Sequence, residues 1–239
     1  MNKLINKINQ KENTIMVICI LIIFACIIFF VVTYSKKIED ENFVYANSLN
    51  EQVISITSPN GVVQNINLKE FSYYVIVAEA NTQSQALLFK EKMPVNYWEL
   101  KTSPLENVRA LTKNFCIETC VNDNILYMEA LENGISLTEE EEEYLQEISY
   151  DIYTCLTAEQ VDATSIELSD ICNVQNKIFL AEKYSLSLMD NGTVQNKSEL
   201  FNDGTYYLDK IKTQYNIEEN NEILSNLIFG SITVNVPKE

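Results

Sequence analysis

Apolar residues along this chain follow three rhythms. From Ile15 to Tyr34 they run unbroken, as IMVICILIIFACIIFFVVTY, without a charged side chain. About 20 helical residues rising about 1.5 Å each span roughly 30 Å, the thickness of a hydrocarbon core. The run therefore predicts a membrane-spanning signal anchor. From Gln52 to Thr57 the rhythm becomes strand-like around Val53, Ile54 and Ile56. A turn signal, Ser58-Pro59-Asn60-Gly61, follows, and Val62-Val63 offers a second short strand. Ile232 to Val236 alternates again near the other end. Short strands need partners, so a small sheet joining the two ends is expected.

Everything between has helical spacing. Asn67 can cap a helix through Phe71, Tyr74, Val75, Ala78, Ala86 and Leu87, ending before Pro94. Ser103-Pro104-Leu105-Glu106 has the form of a capping box and predicts a helix bearing Leu105, Val108, Leu111, Phe115, Val121, Ile125, Met128 and Leu131. Asn133-Gly134 stops it. Thr138 to Glu141 is a second box, whose helix carries Leu145, Ile148, Ile152 and Leu156 on one stripe. Thr164 to Glu167 is a third, leading through Leu168, Ile171, Ile178 and Phe179 to Asn191-Gly192. Two shorter helical pieces are expected at Tyr206–Tyr215 and Glu219–Phe229, with Gly230 as a stop. The fold class expected is mainly α, with an N-terminal transmembrane helix.

The anchor's flanks bear on its fate and direction. A cleaved signal peptide has a shorter apolar run ending in small residues, whereas Phe29, Phe30, Val31 and Val32 are bulky. Ile23-Phe24-Ala25-Cys26 loosely matches a lipidation box, but the apolar run continues past Cys26. Lys3, Lys7 and Lys11 precede the span, while Lys36 and Lys37 follow it. Basic residues favour the cytoplasmic side, so the bias predicts N-terminus in and C-terminus out. The organisation expected is a cytoplasmic tail over 1–14, the span over 15–34, a polar tether over 35–50 and a helical extracytoplasmic domain over 51–239.

Composition narrows the chemistry. The chain has 239 residues, a formal net charge of -17 and no histidine. The charge disfavours nucleic acid and anionic lipid headgroups. The missing histidine excludes hydrolases built on it and His-containing zinc sites. No catalytic residue, cofactor or metal is expected.

Four cysteines lie beyond the span: Cys116, Cys120, Cys155 and Cys172. Three readings fit them: buried thiols, a cross-helix disulfide, or a metal or redox group. A bridge between Cys116 and Cys120 would strain one helix face. The acidic run Glu139 to Glu143 fits the positive end of a helix dipole better than a metal site. Tyr73, Tyr74, Tyr97, Trp98, Tyr144, Tyr150, Tyr153, Tyr206 and Tyr207 suit either core packing or contact with an extended polypeptide. Candidate polypeptide-binding residues are Tyr73, Tyr74, Tyr97, Trp98, Tyr150 and Tyr153. Asn191-Gly192-Thr193 and Asn196-Lys197-Ser198 match a glycosylation pattern that is frequent by chance.

Three stretches resemble the non-catalytic chaperone domain of the SurA/PrsA family of extracytoplasmic foldases. NLKEFSYY, Asn67 to Tyr74, looks like the start of that family's first helix. YMEALENGISLTEEE, Tyr127 to Glu141, looks like its helix–Gly–helix junction. KIFLAEKY, Lys177 to Tyr184, is similar to the segment closing its helical core. Many relatives insert a parvulin-type prolyl isomerase domain after this core. Here Met189 to Gly204 is too short to hold one, and no histidine can serve such a site. The resemblance implies a binding half without an isomerase half. Its partners would be unfolded or newly exported polypeptides, with the bilayer engaged through Ile15 to Tyr34. The alternative is a non-catalytic structural or adaptor subunit of a membrane secretion or envelope complex; a homo-oligomer or a membrane-complex partner fits either reading.

Overall fold

The structure is a computed structural model, and it describes residues 45–88, 97–104 and 106–234. The expected span, Ile15 to Tyr34, lies outside the described residues. Among the described residues, no helix is long and apolar enough to cross a membrane. Described by itself, the compact unit begins at Tyr45, inside the stretch expected to be tether. Tyr45 is buried, and its hydroxyl hydrogen-bonds Ser72 at 2.9 Å.

The fold is mainly helical around a small sheet. Strand β1 (Gln52–Thr57) pairs antiparallel with β2 (Val63–Asn67), with Ile54 opposite Ile66 and Ile56 opposite Gln64. The predicted turn joins them: Gly61 holds φ +80°, and Ser58 N–H donates to Val62 O at 2.9 Å. The third strand is not the expected Ile232–Val236. It is β3 (Asn216–Glu219), which pairs antiparallel with the other edge of β1. Ile232 to Val234 form bends instead, and residues 235–239 lie outside the described residues. The apolar alternation misled because Thr233 is held by a side chain on a helix, as described below. The sheet therefore joins the start of the domain to a segment ahead of its last described helix, not to the expected final strand.

Helix α1 (Leu68–Leu88) starts where expected, with Asn67 Oδ1 accepting the Glu70 N–H at 2.8 Å. Helix α2 (Val108–Glu132) starts later than the Ser103 box predicted, with Asn107 as its cap accepting from Ala110 N–H at 2.9 Å. The cause is local. Thr102 and Ser103 N–H both donate to Glu106 O, and Lys101 bridges to Asn107, closing a turn before the helix. Leu105 lies outside the described residues.

The buried face of α2 also differs from the predicted stripe. Leu111, Phe115 and Leu131 are exposed, whereas Cys116, Cys120, Asn124, Ile117, Val121 and Ile125 face inward. Small side chains at Cys116 and Cys120 permit close helix approach, and larger apolar residues are left outside.

Helix α3 (Glu139–Thr154) has the predicted box: Glu141 N–H donates to Thr138 Oγ1 at 3.3 Å, and Thr138 N–H to Glu141 Oε2 at 2.7 Å. The third box falls elsewhere. Thr157 and Gln160 form it, starting the short helix α4 (Ala158–Thr164). Ser165 then turns the chain through the left-handed region at φ +50°. Helix α5 (Leu168–Asp190) begins with Asp170 accepting the Glu167 N–H at 2.8 Å and ends at Asn191-Gly192, as expected. It packs along α2 and α3, and α1 packs on α2.

The two C-terminal helical pieces are shorter than predicted. The first is a π-turn over Tyr207–Ile211 followed by a 3-10 turn over Lys212–Gln214. The second, α6 (Asn221–Asn226), is capped by Asn220 Oδ1. Beyond it, residues 227–234 thread against α1 and α2. Arg109 donates to Phe229 O and Gly230 N–H to Glu79 Oε1 at 2.5 Å, while Lys113 donates to Leu224 O within α6 itself.

Candidate functional site

A groove of about 640 Å³ opens between α1 and α2. Ala78, Asn81, Thr82 and Gln85 form one wall, and Val108, Leu111, Thr112 and Phe115 the other. Tyr97 and Thr102 close one side. None of these lining residues is charged. Thr82 and Thr112 hydroxyls hydrogen-bond at 3.0 Å on the floor, which satisfies both groups and fixes the spacing of the walls. Phe115 is 60% and Leu111 46% exposed, so the apolar surface is open to a ligand. Amide groups from Asn81 and Gln85 stand beside it. This combination can hold apolar side chains while offering hydrogen bonds to a peptide backbone.

Of the six candidate polypeptide-binding residues, only Tyr97 lines this groove. Trp98 is 2% exposed and packs beneath Gly230, with the Arg109 guanidinium 6.0 Å above its ring. Tyr73 and Tyr153 pack around the buried cluster of Ile76, Ile166 and Ile171. The Tyr73 hydroxyl accepts from Gln175 Nε2 at 2.6 Å, and burial raises its pKa. Tyr74 is buried, and Tyr150 stands exposed on α3. The six do not form one surface. Among the other aromatics, Tyr207 is fully buried, Tyr206 partly buried, and Tyr144 meets Phe179 edge to face at 6.0 Å. Sequence spacing placed Leu111 and Phe115 in the core and did not single out Asn81, Gln85 or Thr112. The groove depends on which face of α2 meets α1, and no local signal encodes that choice.

Cys116, Cys120, Cys155 and Cys172 are all free thiols in the structure. Cys116 and Cys120 are buried, and desolvation pushes both thiols well above their ordinary range. Such thiols resist ionisation and are poor nucleophiles. Cys155 is exposed, while Cys172 is partly buried with its thiol 3.5 Å from Gln146 Oε1. Among the described residues, no group of three or more Cys, Asp or Glu is placed to hold a metal. The acidic run does sit in the first turn of α3, where Glu141 closes the capping box and pairs with Lys183 at 2.7 Å.

Two buried polar assemblies were not evident from sequence. Lys177 on α5 reaches Glu70 on α1 at 2.5 Å and Asn124 on α2 at 3.2 Å, tying three helices at one point. Glu79 on α1 is fully buried, and among the described residues no cation pairs with it. Its carboxylate accepts from Gly230 N–H, from Thr233 N–H at 2.7 Å and from the Thr233 hydroxyl. Burial raises the Glu79 pKa, and these donors offset part of that rise.

No protein-family model, curated protein or solved structure matches this chain.

Proposed function

We propose that this chain is a membrane-tethered, non-catalytic polypeptide-binding module of chaperone type, whose binding surface is the α1–α2 groove. The observation that carries this reading is the groove itself: about 640 Å³, uncharged along its lining, with Phe115 and Leu111 left open beside the amides of Asn81 and Gln85. An extended, apolar segment fits that chemistry, because its side chains lose water against Phe115 and Leu111 while its backbone finds polar partners. The likeness of Asn67 to Tyr74, Tyr127 to Glu141 and Lys177 to Tyr184 to SurA/PrsA-type foldases supports the same class. The apolar run Ile15 to Tyr34 supports a tether at the membrane, with the domain outside.

The test uses the full-length chain in detergent or nanodiscs. Apolar, uncharged peptides should bind saturably, and an unfolded client should aggregate more slowly in its presence. Phe115→Ser and Leu111→Ser change exposed residues, so the domain should stay folded. Each should weaken peptide binding about fivefold to tenfold, as expected for the loss of one apolar anchor. Unchanged binding in both variants refutes the groove as the site. Cross-linking in cells that captures one stoichiometric partner, rather than many exported chains, refutes the chaperone assignment in favour of an adaptor.

A further inference from the structure

Asparagine precedes glycine three times in the chain: Asn60-Gly61, Asn133-Gly134 and Asn191-Gly192. In such a pair the glycine nitrogen can reach the asparagine side-chain carbonyl carbon, because glycine carries no side chain to shield it. Two of the three pairs share one backbone. Asn133 ends α2 at φ -85° and ψ 7°, and Asn191 ends α5 at φ -85° and ψ 1°. Gly134 N–H donates to Leu131 O at 3.1 Å, and Gly192 N–H to Met189 O at 3.0 Å. A Cβ built on either glycine meets nothing within 4 Å, so the two nitrogens are equally open. What differs is the side chain.

Asn133 turns back along its helix, with Nδ2 donating to Glu129 O at 2.8 Å. That bond draws the amide away from Gly134 and keeps its nitrogen engaged. Asn60 is held likewise, donating from Nδ2 to Glu132 Oε1 at 2.6 Å. Asn191 turns forward instead. Its Oδ1 accepts the Thr193 N–H at 2.9 Å and also the Thr193 hydroxyl. Closing that loop wraps Cγ around the intervening Gly192 nitrogen. Two donors on one carbonyl oxygen make Cγ more electrophilic and stabilise the negative charge that attack would place on that oxygen. Among the described residues, no acceptor holds the Asn191 Nδ2.

We propose that Asn191 is a modification site, deamidated by its own backbone, with Thr193 as the positioning residue. The Gly192 nitrogen gives up its proton to hydroxide or a buffer base and bonds to Asn191 Cγ. The Cγ–Nδ2 bond breaks, and Nδ2 takes up a proton and leaves as ammonia. The cyclic imide then adds one water and opens to aspartate or isoaspartate. No oxidant, reductant or cofactor enters. The product changes the molecule where it forms. A carboxylate at residue 191 stands at the C-terminal end of α5 beside Asp190, where the helix dipole disfavours negative charge. Isoaspartate also lengthens the backbone by a methylene inside the cap, where Gly192 N–H meets Met189 O and Thr193 N–H meets Leu188 O at 2.9 Å. Val194 is buried just beyond that cap, ahead of the Lys197–Leu200 turn. Modification therefore loosens the junction between α5 and this turn, and does so in one direction only.

The experiment incubates the full-length chain in detergent at mildly alkaline pH. Peptide-mapping mass spectrometry follows all three pairs, with isoaspartate resolved from aspartate by electron-transfer fragmentation. Asn191 should convert at least about fivefold faster than Asn133 or Asn60, the effect of one net hydrogen bond. Thr193→Val removes the hydroxyl donor and should slow conversion about fivefold, whereas Thr193→Ser should keep the original rate. A merely structural role for Thr193 predicts the opposite sign, because a looser loop closes the imide ring more easily. In the urea-unfolded chain the three rates should converge, since the fold alone sets them apart. Asn133 or Asn60 converting as fast as Asn191 in the folded chain overturns the proposal. So does an unchanged or faster rate in Thr193→Val, a slowed rate in Thr193→Ser, or the same lead persisting in urea. None of these outcomes depends on whether the α1–α2 groove binds peptide.

Discussion

Gly230 offers the sharpest test of how the C-terminal segment is held. Its φ of +84° lies in the left-handed region, and a Cβ built there would sit 2.8 Å from Trp98 Cγ and nearer still to Cδ2 and Cε2. Trp98 is 2% exposed and the single tryptophan of the chain, so it has little room to withdraw. Gly230→Ala therefore combines two costs. Left-handed backbone with a side chain costs about 1 kcal/mol. Forcing a methyl into packed aromatic surface costs about 1–3 kcal/mol more. The sum is about 2–4 kcal/mol.

Gly134 separates the two contributions. It holds φ +70° with nothing within 4 Å of its would-be Cβ, so Gly134→Ala should cost only about 1 kcal/mol. The assay is equilibrium urea unfolding, followed by Trp98 emission and by far-ultraviolet circular dichroism. Emission should shift to the red at lower urea in Gly230→Ala, because its ring is covered by the segment the variant displaces. A Gly230→Ala cost within about 0.5 kcal/mol of the Gly134→Ala cost would refute the packing argument, since backbone strain alone would then explain both.

Three further outcomes follow from the buried groups. Folding raises the Glu79 pKa above its ordinary 4.5, so the native state holds that proton more tightly than the unfolded chain. Its contribution to stability is present below about pH 4.5 and is lost as pH rises through the folded value. Glu79→Gln should flatten that part of a stability–pH curve measured by urea unfolding, and an unchanged slope contradicts the assignment. Lys177→Met leaves Glu70 and Asn124 without their shared cation and should cost about 2–4 kcal/mol, with Glu70→Gln in the same chain recovering part of the loss; additive effects in that double-mutant cycle would refute the coupling. Native-state alkylation mapped by mass spectrometry should label Cys155 first and Cys116 and Cys120 only on unfolding. Rapid labelling of Cys120 would mean that α2 presents a different face from the one described.

Local chemistry accounts for what could be recognised along the chain. The Asn67 cap, the Thr138–Glu141 box, the Asn191-Gly192 stop and the turn through Gly61 each depend on a few neighbouring residues, so their positions are written where they act. The α2 start shows the limit of that rule. Ser103 has the right composition for a box, but the Lys101–Asn107 bridge closes a turn first and hands the cap to Asn107.

The amino-acid order by itself therefore determined a mainly helical domain, the Asn67 and Thr138 caps, the Asn133-Gly134 and Asn191-Gly192 stops, and the absence of histidine. Only the tertiary structure decided that Asn216–Glu219, polar and unremarkable in pattern, would complete the sheet beside β1. Only it turned Cys116 and Cys120 inward and left Phe115 on a groove wall. It also brought Glu79 to residues 230–233. The physical reason is range. A cap is settled by hydrogen bonds within one turn, whereas a buried face, an edge partner or a cleft is settled by which distant surface excludes water most completely.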